Sequence, residues 1–217
     1  MRELFHEQLD GLFDDLATMA GLARHSVGQA TTALLEGDVA VAEDVISGDR
    51  EIDLLREVVE EKAFSLLSLQ APVAGDLRVV VAALRMVAEI ERMGDLAVHV
   101  AKIARLRVPE IAVPESVRPT LKRMATVATT MTARVQDVIA HRDASAAADL
   151  VLIDDEMDQL RRDTFSAMLQ EDWPHGIEAA VDLALLGRYY ERIADHAVSV
   201  ANRVVFVVTG EQPVSAR

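Results

Sequence analysis

The chain has 217 residues, a net charge of −14, 51% hydrophobic residues and no cysteine. That length can bury a real core in one large domain or two modest ones. The acidic balance disfavours direct binding to nucleic acid or to anionic lipid, and the missing thiols exclude disulfides and thiolate metal sites. Aromatic residues make up only 4%. The apolar content is therefore Ala, Val and Leu, which suits close-packed helices.

Phe5, Leu9, Leu12, Phe13, Leu16 and Met19 keep helical spacing and predict a first helix that runs to Leu35 and stops at Gly37. Asp38 can cap a second helix carrying Val45, Ile52, Leu55, Val59 and Leu66, closed by Pro72. Ser47-Gly48 is expected to loosen one of its turns. Gly75 or Asp76 opens a third helix lined by Val80, Leu84, Val87, Ile90, Gly94 and Val98. Pro109, Pro114 and Pro119 then crowd the midpoint of the chain and mark a linker.

The pattern restarts after the prolines. A fourth helix is expected over 117–141. Asp143 or Ser145 caps a fifth, and a sixth follows Trp173-Pro174. Val204 to Val208 is β-prone but continues the sixth helix. The reading is all-α, in two tandem three-helix bundles: 1–108, a proline-rich linker at 109–116, 117–210, and a loose tail at 211–217. Short connections between long helices imply antiparallel neighbours. No apolar stretch is long enough to span a bilayer, and the N-terminus lacks the apolar core of a signal peptide, so a cytoplasmic protein is expected.

The two halves share more than a pattern. Glu91-Arg92-Met93-Gly94-Asp95-Leu96-Ala97-Val98-His99-Val100-Ala101 returns 100 residues later as Glu191-Arg192-Ile193-Ala194-Asp195-His196-Ala197-Val198-Ser199-Val200-Ala201. Seven of the eleven positions are identical, which marks an internal duplication. Each copy holds two acids four apart, stacked on one helix face. Asp49 and Asp53 repeat that spacing on the second helix, and Asp154 and Asp158 on the fifth.

At about 100° per residue all four pairs border the buried stripe on the same side. Within each half, the Asp pair of one helix can face the Glu–Asp pair of the next. Four carboxylates at one seam repel each other, and a cation removes that cost. Carboxylate donors suit Mg²⁺, Ca²⁺, Mn²⁺ or iron. A single such pair is more often a solvated face, and Arg56, Arg92, Arg161 and Arg192 stand close enough in sequence to pair with the acids. The fourfold recurrence in corresponding places raises the weight of the metal reading, and the residues alone leave both readings standing.

The duplicated Glu-Arg-x-x-Asp run, with Asp76-Leu77-Arg78 and the closing Val207-Val208-Thr209-Gly210, resembles the hallmark of the PhoU family over nearly the whole chain. The resemblance implies two similar three-helix bundles. It implies a negative regulator of phosphate uptake and of the phosphate-starvation regulon. Such a regulator is an adaptor between the ATPase of a phosphate ABC transporter and a sensor histidine kinase. It implies a homodimer that meets the membrane only through its partners. It also implies metal sites at Asp49, Asp53, Glu91 and Asp95, and at Asp154, Asp158, Glu191 and Asp195, for iron, Mn, Mg or Zn.

Several positions depart from the family pattern. His99 and Ser199 stand where Asn is common, and the second half has Trp173-Pro174-His175-Gly176 in place of Asp-Leu-Arg. His99 lies one turn beyond Asp95 and is a further candidate donor, although an exposed or core-edge histidine is the commoner case. His196 is expected to bond between helices rather than to a metal. No catalytic set is visible: there is no P-loop and no Ser/His/Asp constellation. A ferritin-like oxidase needs Glu-x-x-His. Here Glu91 and Glu191 are followed at that spacing by Gly94 and Ala194. The expectation is a regulator, not an enzyme, with a ferritin-like metal protein or a purely structural helical interaction module as the alternatives.

Overall fold

The computed structural model describes residues 2–211. They form α1 (Arg2–Glu36), α2 (Val39–Gln70), α3 (Ala74–Arg107), α4 (Arg118–His141), α5 (Ala144–Met168) and α6 (Gly176–Thr209). Most of the tail expected after Gly210 lies outside the described residues.

Local chemistry sets the helix ends. Gly37 adopts φ +69, and its N–H and that of Asp38 both return to Ala33 O, which closes α1. Asp38 then accepts from the N–H groups of Ala40 and Val41 and starts α2. The second half repeats the device: Asp143 accepts from Ser145 and Ala146 and starts α5.

Two expectations need correction. Neither Gly75 nor Asp76 caps α3; Val73 does so without a side-chain bond, and Asp76 sits in the first turn, where its charge suits the helix dipole. Ser47-Gly48 does not interrupt α2. The Ser47 hydroxyl donates back to Glu43 O and so stays compatible with the helix.

Contacts among the helices fix the architecture. α1, α3, α6 and α4 form a closed ring, each touching the next. Among the described residues, α2 packs only on α1 and α3, and α5 only on α4 and α6. The result is two three-helix bundles side by side, joined α1 to α4 and α3 to α6. Both joints are antiparallel. Arg118, at the start of α4, donates to Leu35 O at the end of α1, and Arg142, at the other end of α4, reaches Asp10.

On α3 and α6 the cross-pairs are Arg107 with Asp182, His99 with Tyr189, Glu89 with His196, and Arg78 with Phe206. These pairs centre near Met93 and Ile193, both fully buried. A pseudo-twofold axis therefore passes through the duplicated motif itself. The core that surrounds it is Ala, Leu, Val and Met, with Ala83, Ala97, Ala101, Ala194 and Ala197 letting the helices approach closely.

One polar bond lies deep in the core. Tyr190 is 1% exposed, and its hydroxyl meets Thr31 Oγ1 at 2.9 Å, tying α6 to α1 across the two bundles. Burial pushes its phenol far above the usual range.

Candidate metal seams on either side of the pseudo-dyad

The first seam lies where α2 meets α3. Asp49 and Asp53 descend one face of α2, and Glu91 and Asp95 one face of α3. All four are part-buried. Gly94 lets α2 come close. A Cβ there would stand 2.8 Å from Ile52 Cδ1 and 3.3 Å from Asp49 Oδ1.

Asp49 is the most perturbed member. Burial pushes its carboxyl up to about 6, and the charges of Asp95, Asp53 and Glu91 push the same way, against Lys102. Burial and Asp95 raise Glu91 as well. Arginine neutralises part of the seam: Arg92 lies 3.2 Å from Asp95 and 3.6 Å from Glu91, and Arg56 lies 4.0 Å from Asp53.

The second seam, between α5 and α6, repeats the scheme. Burial pushes Asp154 up to about 6, reinforced by Asp195, Asp158, Asp155 and Glu191. Each raised aspartate thus feels the other three members of its own quartet. The environments differ, though. Glu191 is buried and held by two arginines, Arg161 at 3.2 Å and Arg188. Asp158 and Asp195 are exposed, and Arg162 lies 3.9 Å from Asp158.

Each quartet named from the sequence thus lines one helix seam, around an aspartate that feels the charges of the other three and, among the described residues, pairs with no arginine. Among the described residues, no three acids or imidazoles are already drawn into a shared coordination sphere. The donor set nonetheless fits a hard cation: all oxygen, mutually repelling, and partly desolvated.

The histidines divide as expected. His196 Nδ1 donates to Glu89 at 2.6 Å across the α3–α6 joint. His99 stacks on Tyr189, with ring centroids 5.2 Å apart. Sequence reasoning missed the Arg107 clamp: this arginine donates to both oxygens of buried Asp182 and to Glu178, closing the far end of the same joint. A basic last turn on α3 and an acidic first turn on α6 were the only signals for it.

The family model for the PhoU domain matches this chain twice, over residues 16–104 and 121–204. The chain belongs to the PhoU family. The phosphate-specific transport system accessory protein PhoU homolog 2 of Mycobacterium tuberculosis is 50% identical, over 98% of this chain and 100% of that protein. PhoU homolog 1 of Mycobacterium leprae is 49% identical, over 98% of this chain and 96% of that protein. Among solved structures, PhoU from Pseudomonas aeruginosa is similar at a TM-score of 0.87 and 26% identity, covering 95% of this chain and 100% of that one. The all-α, two-bundle fold is thus the PhoU fold. No helix among the described residues is long and apolar enough to cross a membrane.

Proposed function

We propose that this PhoU-family chain is a non-catalytic negative regulator of phosphate uptake that acts by docking. Its partners would be the ATPase of a phosphate ABC transporter and the cytoplasmic part of a sensor histidine kinase, and it would silence the phosphate-starvation response when phosphate is plentiful. One observation carries the reading: the likeness to phosphate-specific transport system accessory proteins spans both repeats and nearly the full chain. The absence of any nucleotide-cradling or nucleophilic motif from the sequence supports a docking role over a reaction. We further propose that the protein is cytoplasmic and works as a homodimer.

In this reading the two seams hold hard cations, with iron, Mn, Mg and Zn as candidates. Asp49, Asp53, Glu91 and Asp95 would hold one, and Asp154, Asp158, Glu191 and Asp195 the other. A bound cation supplies the positive charge that offsets the repulsion within each quartet. Asp49 and Asp154 are the oxygens that gain most, because burial disfavours their charge and no arginine relieves it. The seam then stiffens the contact of each outer helix with the central ring.

The docking claim is tested by pull-down of the transporter ATPase and the kinase's cytoplasmic part in high phosphate. Retention of at least one is expected; retention of neither overturns it. The metal claim is tested by elemental analysis of the purified protein. Alanine at Glu91, Asp95, Glu191 and Asp195 together should strip the metal and leave the helical circular dichroism intact. Metal retained by that variant would refute the ligand assignment.

A further inference from the structure

The side of the ring opposite the acidic seams carries the other sign of charge. There α1 and α4 run antiparallel and leave a long groove between them. Its two overlapping stretches hold about 430 Å³ and 550 Å³ and share Gly28, Thr32 and Thr129. Arg118 and Lys122 line one stretch, and Arg24 and His25 the other. Glu36 is the single acid in the lining. Arg118 also pairs with Glu115 at 3.3 Å, so Arg24 and Lys122 are the cations the groove leaves for a partner, in a chain of net charge −14. Arg24 and Lys122 make no ion pair among the described residues.

We propose that the α1–α4 groove is a docking site for an acidic amphipathic helix of a partner protein. The arrangement of the donors favours a helix over a small anion. The threonine hydroxyls of the groove already donate to their own helices, Thr32 to Gly28 O, Thr129 to Ala125 O, and Thr126 to Lys122 O. They present lone pairs, not protons, to an anion.

The cations are also spread rather than convergent. Arg118 reaches α1 at Leu35. Arg24 lies eleven residues earlier on α1, which is about 16 Å along a helix axis. A point anion cannot span that distance, whereas a helix of three to four turns with acids beside its buried stripe can engage both ends. The floor suits close approach. A Cβ at Gly28 would meet nothing within 4 Å, so no contact within the chain calls for glycine there, and glycine weakens a helix interior. Charge complementarity names the occupant's chemistry: an acidic face steered by these cations, with wrong partners repelled by the rest of the surface. Nucleic acid fits badly, because the surrounding charge would repel its phosphates.

The test uses the full chain and a fluorescein-labelled helical peptide of about 18 residues, with an Ala/Leu stripe flanked by Glu. Its counterpart carries Lys at every Glu. The acidic peptide should bind and the basic one should not, and binding should weaken as salt rises. Arg24→Glu with Lys122→Glu should weaken binding about tenfold or more, at unchanged circular dichroism. Gly28→Leu, whose Cβ meets nothing within 4 Å and whose longer side chain fills the floor, should abolish it at unchanged circular dichroism.

Equal binding of the two peptides would overturn the proposal, as would binding indifferent to both variants. Displacement of the peptide by inorganic phosphate beyond that by chloride of equal ionic strength would assign a point-anion site instead. A wild-type dimer lost in Gly28→Leu, with no peptide bound, would give the groove to a second copy of this chain.

Discussion

The two seams were built from one duplicated motif, yet they neutralise their acids differently. In the first, Glu91 is part-exposed and shares Arg92 with Asp95. In the second, Glu191 is buried between Arg161 and Arg188. Arg161 corresponds to Arg56 of the first repeat, which serves Asp53 and Glu60 instead. Arg188 has no counterpart, because the matching position is Ala88. The donors are thus the same in both repeats and the counter-charges are not. A seam whose glutamate is already paired has less to gain from a cation, so the first seam should bind the tighter of the two.

The largest effect separates the two glutamates by sign. Glu191→Gln leaves two arginines sharing an amide where a buried carboxylate stood. In metal-free protein it should cost about 2 kcal/mol, within the range for hydrogen bonds to charged groups. Glu91→Gln removes a charge that burial and Asp95 already disfavour. It should be neutral or stabilise by about 0.5 kcal/mol, since the exposed Arg92 pairing is worth little. Urea unfolding in chelator reads both. Equal losses would mean that the arginines do not distinguish the seams.

How much of this was legible beforehand follows from what sequence encodes. The helices were, because stripes such as Leu12, Leu16 and Met19 have a period that only one element satisfies. The faces that carry the acids were, because a spacing of four fixes a face, and Asp49 and Asp154 feel the charges of the acids expected beside them. The arginine pairing was legible only as a possibility. Arg188 reaches Glu191 from three residues away on its own helix, and whether it does so depends on the burial of Glu191, which is a tertiary property. The Arg107–Asp182 clamp and the Thr31–Tyr190 bond join helices from different repeats. No periodicity within one helix can announce either. The third-helix cap failed for a simpler reason: Asp76 is a good capping residue, but the chain had already turned at Ala71 and Pro72.

The next effect is a pH dependence that both seams should share. Burial, with the neighbouring acids, pushes the carboxyls of Asp49 and Asp154 up to about 6, against about 3.9 for a free aspartate. A folded value raised above the unfolded one means that the folded state binds more protons between the two. Stability in chelator should therefore fall as pH rises from about 4 through 6, and stay at the lower level above it. Solvent screening of these part-exposed groups reduces the loss to about 1 kcal/mol per site. Saturating metal should flatten the profile. A metal-free Tm that rises over this window would show that the two aspartates are not strained by their neighbours.

A smaller effect tests the packing that holds Asp49 in place. Gly94→Ala gains helix propensity of about 1 kcal/mol but drives a methyl into Ile52, which is itself buried. We expect a net loss of about 1 kcal/mol, together with weaker metal binding at the first seam, because Asp49 must retreat with α2. Ala194→Gly, the reverse change in the second repeat, should lose about 2 kcal/mol through helix propensity and one buried methyl, and leave metal affinity unchanged. Both changes cost stability; only the metal readout separates a glycine that sets the helix approach from a position that does not.

The smallest effect bears most directly on the contrast between the seams. Arg188→Ala places in the second repeat the residue that the first repeat has at Ala88. Glu191 keeps Arg161, so the buried carboxylate is not orphaned and the fold should hold. One positive charge beside the seam disappears, and at about half exposure that charge is worth under 1 kcal/mol, or roughly threefold in cation affinity. The gain should appear only at the second seam. Isothermal titration with Mn²⁺ should then show the two unequal affinities of the wild type move together. If they stay apart by the same ratio, the inequality lies in the exposed Asp158 and Asp195 rather than in the arginines, and the donors themselves set the ranking.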